Sequence, residues 1–490
     1  MDSGTHPKEV LMVLVIGVLM AAIDATIVVL ALPTIDEELH ANIASSIWII
    51  MVYILVITVL STQVGKLGDR FGRAKLYNYG LGLFVIGSAL CGLSPDIYAL
   101  IGFRAVQAVG GALVGTSSSA VVSDNFKPNE RGKAFGFTSL GWNLGSIFGI
   151  FLGGLLATID WRLIFLINVP IGIALLPISI RRLKDAKMAV KEKFDVLGSL
   201  YLGIALLLLT FVSVISLSEG LSLVEYAMLA LVVVFALLFI LHERHITFAV
   251  IDLKLFKNRV FSFSVLASML QFTANFAVIF ILILYLQGVR SQNPFIASIY
   301  LLPGYIIGAF VGPNMGKLSD KIGARIPASI GLLLIGIGYA MYIIFLSVNS
   351  PLYYVSLITI LTGIGSGMFF PSNTSAVMAN APKDNYGMAS GINRTLGNVG
   401  MVLSFVLALT VISISIPRNA ALAIFLGTQI GGMSNKLAST FIIGLHAALL
   451  ASIVMIGVAI AMSLARGKED RNKVQEEPLE MALSNETFKD

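Results

Sequence analysis

The sequence predicts an all-α membrane protein of fourteen transmembrane helices, built as two related sets of six with a further pair inserted between them. Three observations predict it. The 490 residues are 57% hydrophobic and 12% charged, with a mean hydropathy of +0.90, which leaves too little polar surface to coat a soluble globule of this size. Apolar runs of about 18 or more residues recur along the chain, each long enough to cross a hydrocarbon core of about 30 Å as a helix. One charged, glycine-punctuated phrase is written twice, as "GKLGDRFGRAK" at residues 65 to 75 and "GKLSDKIGAR" at 316 to 325.

The apolar runs fall at 10 to 32, 47 to 65, 76 to 94, 97 to 122, 134 to 158, 162 to 180, 196 to 217, 221 to 241, 260 to 287, 295 to 315, 326 to 347, 352 to 378, 388 to 414 and 438 to 465. The first is too long for a cleavable signal peptide and lacks a small-residue cleavage site, so it is expected to stay as a helix. Cys91, the single cysteine, lies in the third run and predicts no disulfide. Of the 33 Lys and Arg, 27 fall on one side of this topology, four on the other (Arg162, Arg290, Arg418 and Lys436), and two, Arg104 and Arg394, inside spans. Such a bias is the positive-inside rule. It predicts a multi-pass protein of the cell membrane with both termini cytoplasmic, and it accounts for the net charge of +6 without nucleic acid.

A second echo follows each charged phrase. "ERGKAFGFTSLGWNLG" (130 to 145) matches "NYGMASGINRTLGNVG" (385 to 400), with Gly132, Ala134, Gly136, Asn143 and Gly145 recurring as Gly387, Ala389, Gly391, Asn398 and Gly400. The offsets, 251 and 255, nearly agree. The chain is therefore expected to divide into a six-helix bundle over 1–181, a linker with two inserted spans over 182–259, a second six-helix bundle over 260–466 and a disordered charged tail over 467–490. The stretches 181 to 195 and 242 to 259 that bound the insert read as amphipathic linkers able to lie on an anionic leaflet.

Inside the first span stands Asp24, where an ionised carboxylate costs about 3 kcal/mol to insert. Helix rise puts it about 14 Å below the outer end of its span, and Arg104 about 11 Å below the same face, so the two are able to pair. Asp24 then reads either as the group that takes up a proton or attracts a cationic substrate, tuned by Arg104, or as half of a static pair fixing two helices. Gln107, Asn143, Gln271, Asn275, Asn373, Asn393 and His446 read first as helix-to-helix hydrogen-bonding groups. Gln107, Asn143 and Asn275, with Tyr305 and Phe369, are the candidate substrate contacts beside Asp24 and Arg104. Arg394, about 9 Å from the cytoplasmic end of its span, is expected to snorkel. Phe272, Phe276, Phe280, Tyr285, Tyr300, Tyr305, Phe369 and Phe370 wall an apolar cavity or else face lipid and core.

In the repeated phrase, Gly65, Gly68 and Gly72 permit a tight turn and close approach of the flanking helices. Asp69, with Arg70 and Arg73 beside it, is able to sit at the positive N-terminal end of a neighbouring helix and hold it, with Asp320 as the weaker symmetric copy. A solvated loop that merely sets topology is the alternative. In the fifth span Gly141, Gly145, Gly149 and Gly153, followed by Gly154, make a smooth face for close helix packing. The chain has no GxxxxGK followed by Ser or Thr, no HExxH, no paired cysteines and no GxSxG, so neither an enzyme nor a cofactor or metal site is expected. Work must then come from a gradient, where one charge moved is worth about 2.3 kcal/mol per 100 mV.

"GKLGDRFGRAK" resembles the loop signature of the major facilitator superfamily, and "IDATIVVLALPTI" (23 to 35) and "WRLIFLINVPIG" (161 to 172) resemble its fourteen-span drug:proton antiporter branch. The resemblance covers almost the whole chain. It implies the major facilitator fold of two pseudo-symmetric six-helix bundles plus two inserted helices, a central cavity lined by spans 1 and 4, and an Asp69 latch on the start of span 13 near Met388. "RAVQAVGGA" resembles the family's span 4 motif, and the span 5 glycines resemble its antiporter signature, with Ile150 where that pattern has a proline, so that this helix is expected to bend less. The implied function is a monomeric secondary active exporter, surrounded by membrane lipid, that expels amphipathic or cationic drugs in exchange for protons and so confers antibiotic resistance. The alternative is the same fold exporting a lipid or a physiological metabolite.

Overall fold

The computed structural model describes residues 7–39, 43–127, 130–157, 159–185, 195–218, 222–246, 251, 255–292, 294–382, 386–415 and 435–467. These form fifteen α-helices and no strand: α1 (Pro7–Leu39), α2 (Ile43–Phe71), α3 (Arg73–Gly92), α4 (Ile97–Asn125), α5 (Arg131–Ala157), α6 (Leu163–Leu166), α7 (Asn168–Arg182), α8 (Val196–Ser218), α9 (Leu223–His245), α10 (Arg259–Leu284), α11 (Pro294–Ile322), α12 (Arg325–Phe345), α13 (Tyr353–Ala379), α14 (Tyr386–Ser415) and α15 (Asn435–Ala465). A π-turn, Tyr285–Val289, extends α10. Every apolar run of the sequence carries a helix, α6 and α7 sharing the sixth. Among the described residues nine of the helices, and α6 with α7 taken as one, are long and apolar enough to cross a membrane, and α2 makes an eleventh span if its 50° bend between Trp48–Ser61 and Gln63–Phe71 is taken within one span. In α3, polar residues at its start (Lys75, Tyr77, Asn78, Tyr79) dilute the hydropathy. Of the expected tail at 467–490, all but Gly467 lies outside the described residues, as does 186–194 of the first linker.

Helix ends follow local chemistry. Asp96 caps α4 by accepting from the amides of Tyr98 and Ala99, both at 2.9 Å, and Asn258 caps α10 through Val260 and Phe261. Ser222 and Glu225 form a reciprocal capping box on α9. In the two copies of the charged phrase the chain turns at Gly72 (φ +107°) and Gly323 (φ +87°), 251 residues apart, in a left-handed conformation that a side chain resists.

Helices α1 to α7 pack among themselves, chiefly α1 on α5 and α3 on α4, and α10 to α15 do likewise, chiefly α11 on α13 and α12 on α13. The two sets meet along two seams, α5 with α11 and α2 with α14. Helices α8 and α9 pair with each other, and α8 leans on α2 and α14. One apolar core, containing Val13, Phe84, Val121, Phe261, Val377 and Ile392, draws on both sets. Two others belong to one set each, around Ile27, Ile49 and Trp161 in the first and Val278, Leu332 and Leu445 in the second. Helix α9 is strongly apolar and almost none of its apolar length is buried by protein, so lipid must cover it.

Candidate transport site and gate

Asp24 lies midway along α1 with no exposed surface, beside Arg104 and Gln107 of α4. One carboxylate oxygen accepts from Arg104 Nη1 at 2.8 Å and the other from Gln107 Nε2 at 2.8 Å. The same Arg104 nitrogen donates to Gln107 Oε1 at 2.6 Å, closing a ring of three side chains. Ser88 of α3 accepts a second hydrogen from Gln107 at 2.7 Å, and the Ile49 carbonyl of α2 accepts from Arg104 Nε at 3.3 Å. Above the guanidinium lies the ring of Tyr53, 4.2 Å from Cζ to centroid, with Phe165 at 5.6 Å. Four helices thus satisfy one ion pair, as a buried pair requires if it is not to cost more than it returns. The glycine stripe of α5 positions it: Cβ atoms added at Gly141, Gly145, Gly149 and Gly153 would lie 2.8, 2.4, 2.7 and 3.0 Å from the carbonyl oxygens of Val15, Leu19, Ile23 and Ile27. Only glycine lets α5 lie directly on the main chain of the helix that carries Asp24. The side-chain surroundings of Gly154 fall outside what is described.

At the end of the molecule that carries the charged phrases, the basic end, two contacts join the sets. The Asp69 carboxylate at the close of α2 accepts from the amides of Gly387 (2.9 Å) and Met388 (3.0 Å), which open α14. Asp320 on α11 accepts from the amides of Gly132 and Lys133, both at 2.9 Å, which open α5. Each acid sits on the positive end of a helix from the opposite set. Beneath them the backbones touch. A Cβ on Gly65 would lie 2.2 Å from the Gly387 carbonyl, and one on Gly316 would lie 2.0 Å from that of Gly132. These bonds match in number and length, while Asp69 is the more deeply buried of the two acids.

Asp69 is braced further by Arg73, whose Nε and Nη2 reach it at 2.8 and 2.7 Å and whose Nη1 pairs with Asp124 of α4. Asp185 accepts from the Ala74 amide at 2.7 Å and closes over Gly72. Arg70 is exposed and lies over the Phe71 ring. Tyr386, at the start of α14, is held between the guanidinium groups of Arg73 and Arg131, 5.5 and 4.8 Å from its centroid. Sequence reasoning missed Tyr53, Ser88, Asp124, Asp185 and Tyr386. Of these, only the two acids carried a signal, as charges at the ends of apolar runs.

A family model described as Major Facilitator Superfamily matches residues 14–405, most of the chain and every helix of this site and gate. The chain belongs to the major facilitator superfamily. Over 399 residues it is 32% identical to the riboflavin transporter RibZ of Clostridioides difficile, covering 80% of this chain and 86% of that one. It is 31% identical to a tetracenomycin C resistance and export protein of Streptomyces glaucescens, covering 81% of this chain and 74% of the relative. With the multidrug efflux pump LfrA of Mycolicibacterium smegmatis it shares 28% identity over 402 residues, 81% of this chain and 79% of the pump. The solved proton:xylose symporter XylE superposes with a TM-score of 0.64 at 12% identity, covering 94% of this chain and 96% of XylE, which is a likeness of fold. This member of the superfamily is accordingly a multi-pass membrane transporter of a small molecule and not an enzyme.

Within this superfamily member the remaining sequence candidates scatter. Asn143 lies on the α5–α11 seam, its Nδ2 donating to the Ser139 carbonyl at 2.9 Å and its amide facing Gly308. Asn275 of α10 accepts from the Tyr339 hydroxyl at 3.2 Å, and Tyr305 lies partly buried on α11. Phe369 is fully buried in the second set's core and not at a seam. Tyr285 is spent on structure, donating to the Ser347 carbonyl at 2.8 Å, and His446 rests 3.3 Å from the Leu346 carbonyl. Asn373 holds Arg466, the last residue of the expected second bundle, which is buried against α10 and α13. Arg394 does not snorkel: its guanidinium points across the seam to Gly115 of α4.

Proposed function

We propose that this chain is a proton-coupled antiporter of the fourteen-span branch, exporting amphipathic compounds across the cell membrane by alternating access. In this reading all fourteen helical segments cross the bilayer. Residues 1–181 and 260–466 are the two rocking bundles, and 182–259 carries the inserted pair. The basic end is cytoplasmic, the protein works as a monomer in lipid, and the proton is its coupling ion without further cofactor.

The observation that carries this reading is the burial of Asp24 in a ring with Arg104 and Gln107. Protonation of Asp24 removes the charge that binds Arg104, so α1 and α4 become free to change their contact while Arg104, always cationic, turns to another acceptor. Cargo and proton thereby compete for one arrangement of side chains. The two carboxylate-on-helix contacts at Asp69 and Asp320 supply the other half: both must let go before the basic end opens, and both re-form when it shuts.

A second reading has one favouring observation, the 32% identity to a transporter named for riboflavin, which supports a physiological metabolite as cargo in place of a drug. One experiment serves both. Purified protein in proteoliposomes with an imposed pH gradient is offered ethidium, a neutral drug and riboflavin, and proton movement is followed alongside cargo. The wild type is expected to exchange protons for one of them, and Asp24→Asn to fold and lose gradient-driven transport. Full pH-driven transport by Asp24→Asn would remove this carboxylate from the mechanism.

A further inference from the structure

Away from helix ends, the formally charged side chains described within the two six-helix sets are Asp24, Arg104 and Arg394. The first two neutralise each other in a 2.8 Å ion pair. Arg394 is left over, and the interior carries a net formal charge of +1, the wrong sign to attract a cation.

Its setting is specific. The guanidinium from α14 fills the space that a side chain at Gly115 would take: a Cβ there would meet Cζ at 2.3 Å, Nε at 2.6 Å and Nη1 at 2.7 Å. Its Nε is buried and makes no hydrogen bond among the described residues. Nearby on the same two helices, Thr116 Oγ1 and Ser117 Oγ of α4 and Asn393 Oδ1 and Asn398 Nδ2 of α14 are likewise buried without a partner. Neighbouring side chains on this face are satisfied, as Ser390 donates to the Thr116 carbonyl at 2.7 Å and Thr395 to the Thr58 carbonyl at 3.1 Å, so α14 is in register. About one turn further along α14, Gly397 lies against the Phe272 ring. That ring stacks on Phe276 (5.8 Å, 11°) and meets Phe370 edge-on at 5.2 Å.

A buried donor left without an acceptor is costly, the more so when it is charged, so an acceptor that arrives with the cargo recovers that cost on binding. We propose that Arg394 docks an anionic oxygen group of the cargo, a carboxylate or phosphate-type oxyanion, whose attached aromatic ring rests on Phe272, Phe276 and Phe370. The cargo class is then an aromatic organic anion or zwitterion. This deepens the exporter reading and rests on it only in taking the α4–α14 seam as part of the cargo path.

The test is equilibrium binding to the purified full-length protein in nanodiscs, with no pH gradient, so that failure of proton coupling leaves the result untouched. Fluorescein serves as the anionic aromatic probe and ethidium as the cationic one. The wild type is expected to bind fluorescein saturably and more tightly than ethidium. In Arg394→Gln the ratio of the two affinities should fall at least about tenfold, and Arg394→Lys should recover part of it. Should Arg394→Gln fail to fold, Gly115→Ala, whose methyl displaces the guanidinium, is expected to lower the ratio in the same direction. An unchanged ratio in the variants, tighter ethidium binding by the wild type, or no saturable fluorescein binding overturns the proposal. Loss of fluorescein binding when phosphatidylcholine nanodiscs are replaced by phosphatidylglycerol would assign Arg394 to a lipid headgroup and overturn it equally.

Discussion

Asp24 in the first set of helices and Asn275 in the second stand 251 residues apart, the offset of the charged phrase, yet their surroundings differ in kind. Asp24 is ionic: two side chains of α4 close on it, and four helices contribute. Asn275 is neutral, with one side-chain hydrogen bond among the described residues, 3.2 Å from the Tyr339 hydroxyl. The basic end shows the opposite relation, since Asp69 and Asp320 make matching bonds over matching glycine contacts. Where the sets touch, the two copies are alike in their bonds and in the close approach of their glycines. Where each set works on its own interior, they have diverged.

The largest effect should come from unbalancing the ionic member. Arg104→Met leaves Asp24 buried and unpaired and is expected to destabilise the detergent-purified protein by about 3–5 kcal/mol, against about 1 kcal/mol for Asn275→Ala. Thermal unfolding of the two variants side by side checks it, and equal losses would erase the contrast. Next come Gly65→Ala and Gly316→Ala, whose new methyl groups would lie 2.2 and 2.0 Å from a carbonyl of the other set. No side chain is there to yield, so each should weaken closure toward the upper end of the roughly 1–3 kcal/mol that overpacking costs. Thiol labelling at Ser139→Cys, near Gly312 on the α5–α11 seam, should speed up comparably in both, and a response in one alone would break the symmetry of the gate. Asp69→Asn and Asp320→Asn give up charge-assisted contacts worth about 1.5–3 kcal/mol, with Asp69 the costlier because it is the more deeply buried of the two. The same labelling reports the order. Smallest is Tyr339→Phe, which removes a single long hydrogen bond and should cost about 1 kcal/mol or less in thermal stability.

Much of this was open to sequence reasoning. Hydropathy located every helix because lipid leaves a backbone no other solution. Equal depth from helix rise foretold that Asp24 and Arg104 are able to meet, and the repeat foretold a contact at Asp69. What stayed hidden has one cause: rise along a helix gives height but not the direction in which a side chain points. Arg394 was read as snorkelling from its height, and only its azimuth toward Gly115 turns it inward. Tyr53, a lone tyrosine in an apolar run, gave no hint that it sits over a guanidinium. Phe369 and Tyr285 were indistinguishable by composition from cavity-wall aromatics, although one is core and the other a helix-end fastener.

The facing glycines at the basic end, Gly65 with Gly387 and Gly132 with Gly316, make that closure a meeting of main chain with main chain. A seal made by side chains can leak as rotamers hop, admitting water or ions a little at a time. Two peptide planes in contact have no such half-measures, so the seal is either whole or absent, and in the proposed exchanger that property would keep protons from slipping through unaccompanied.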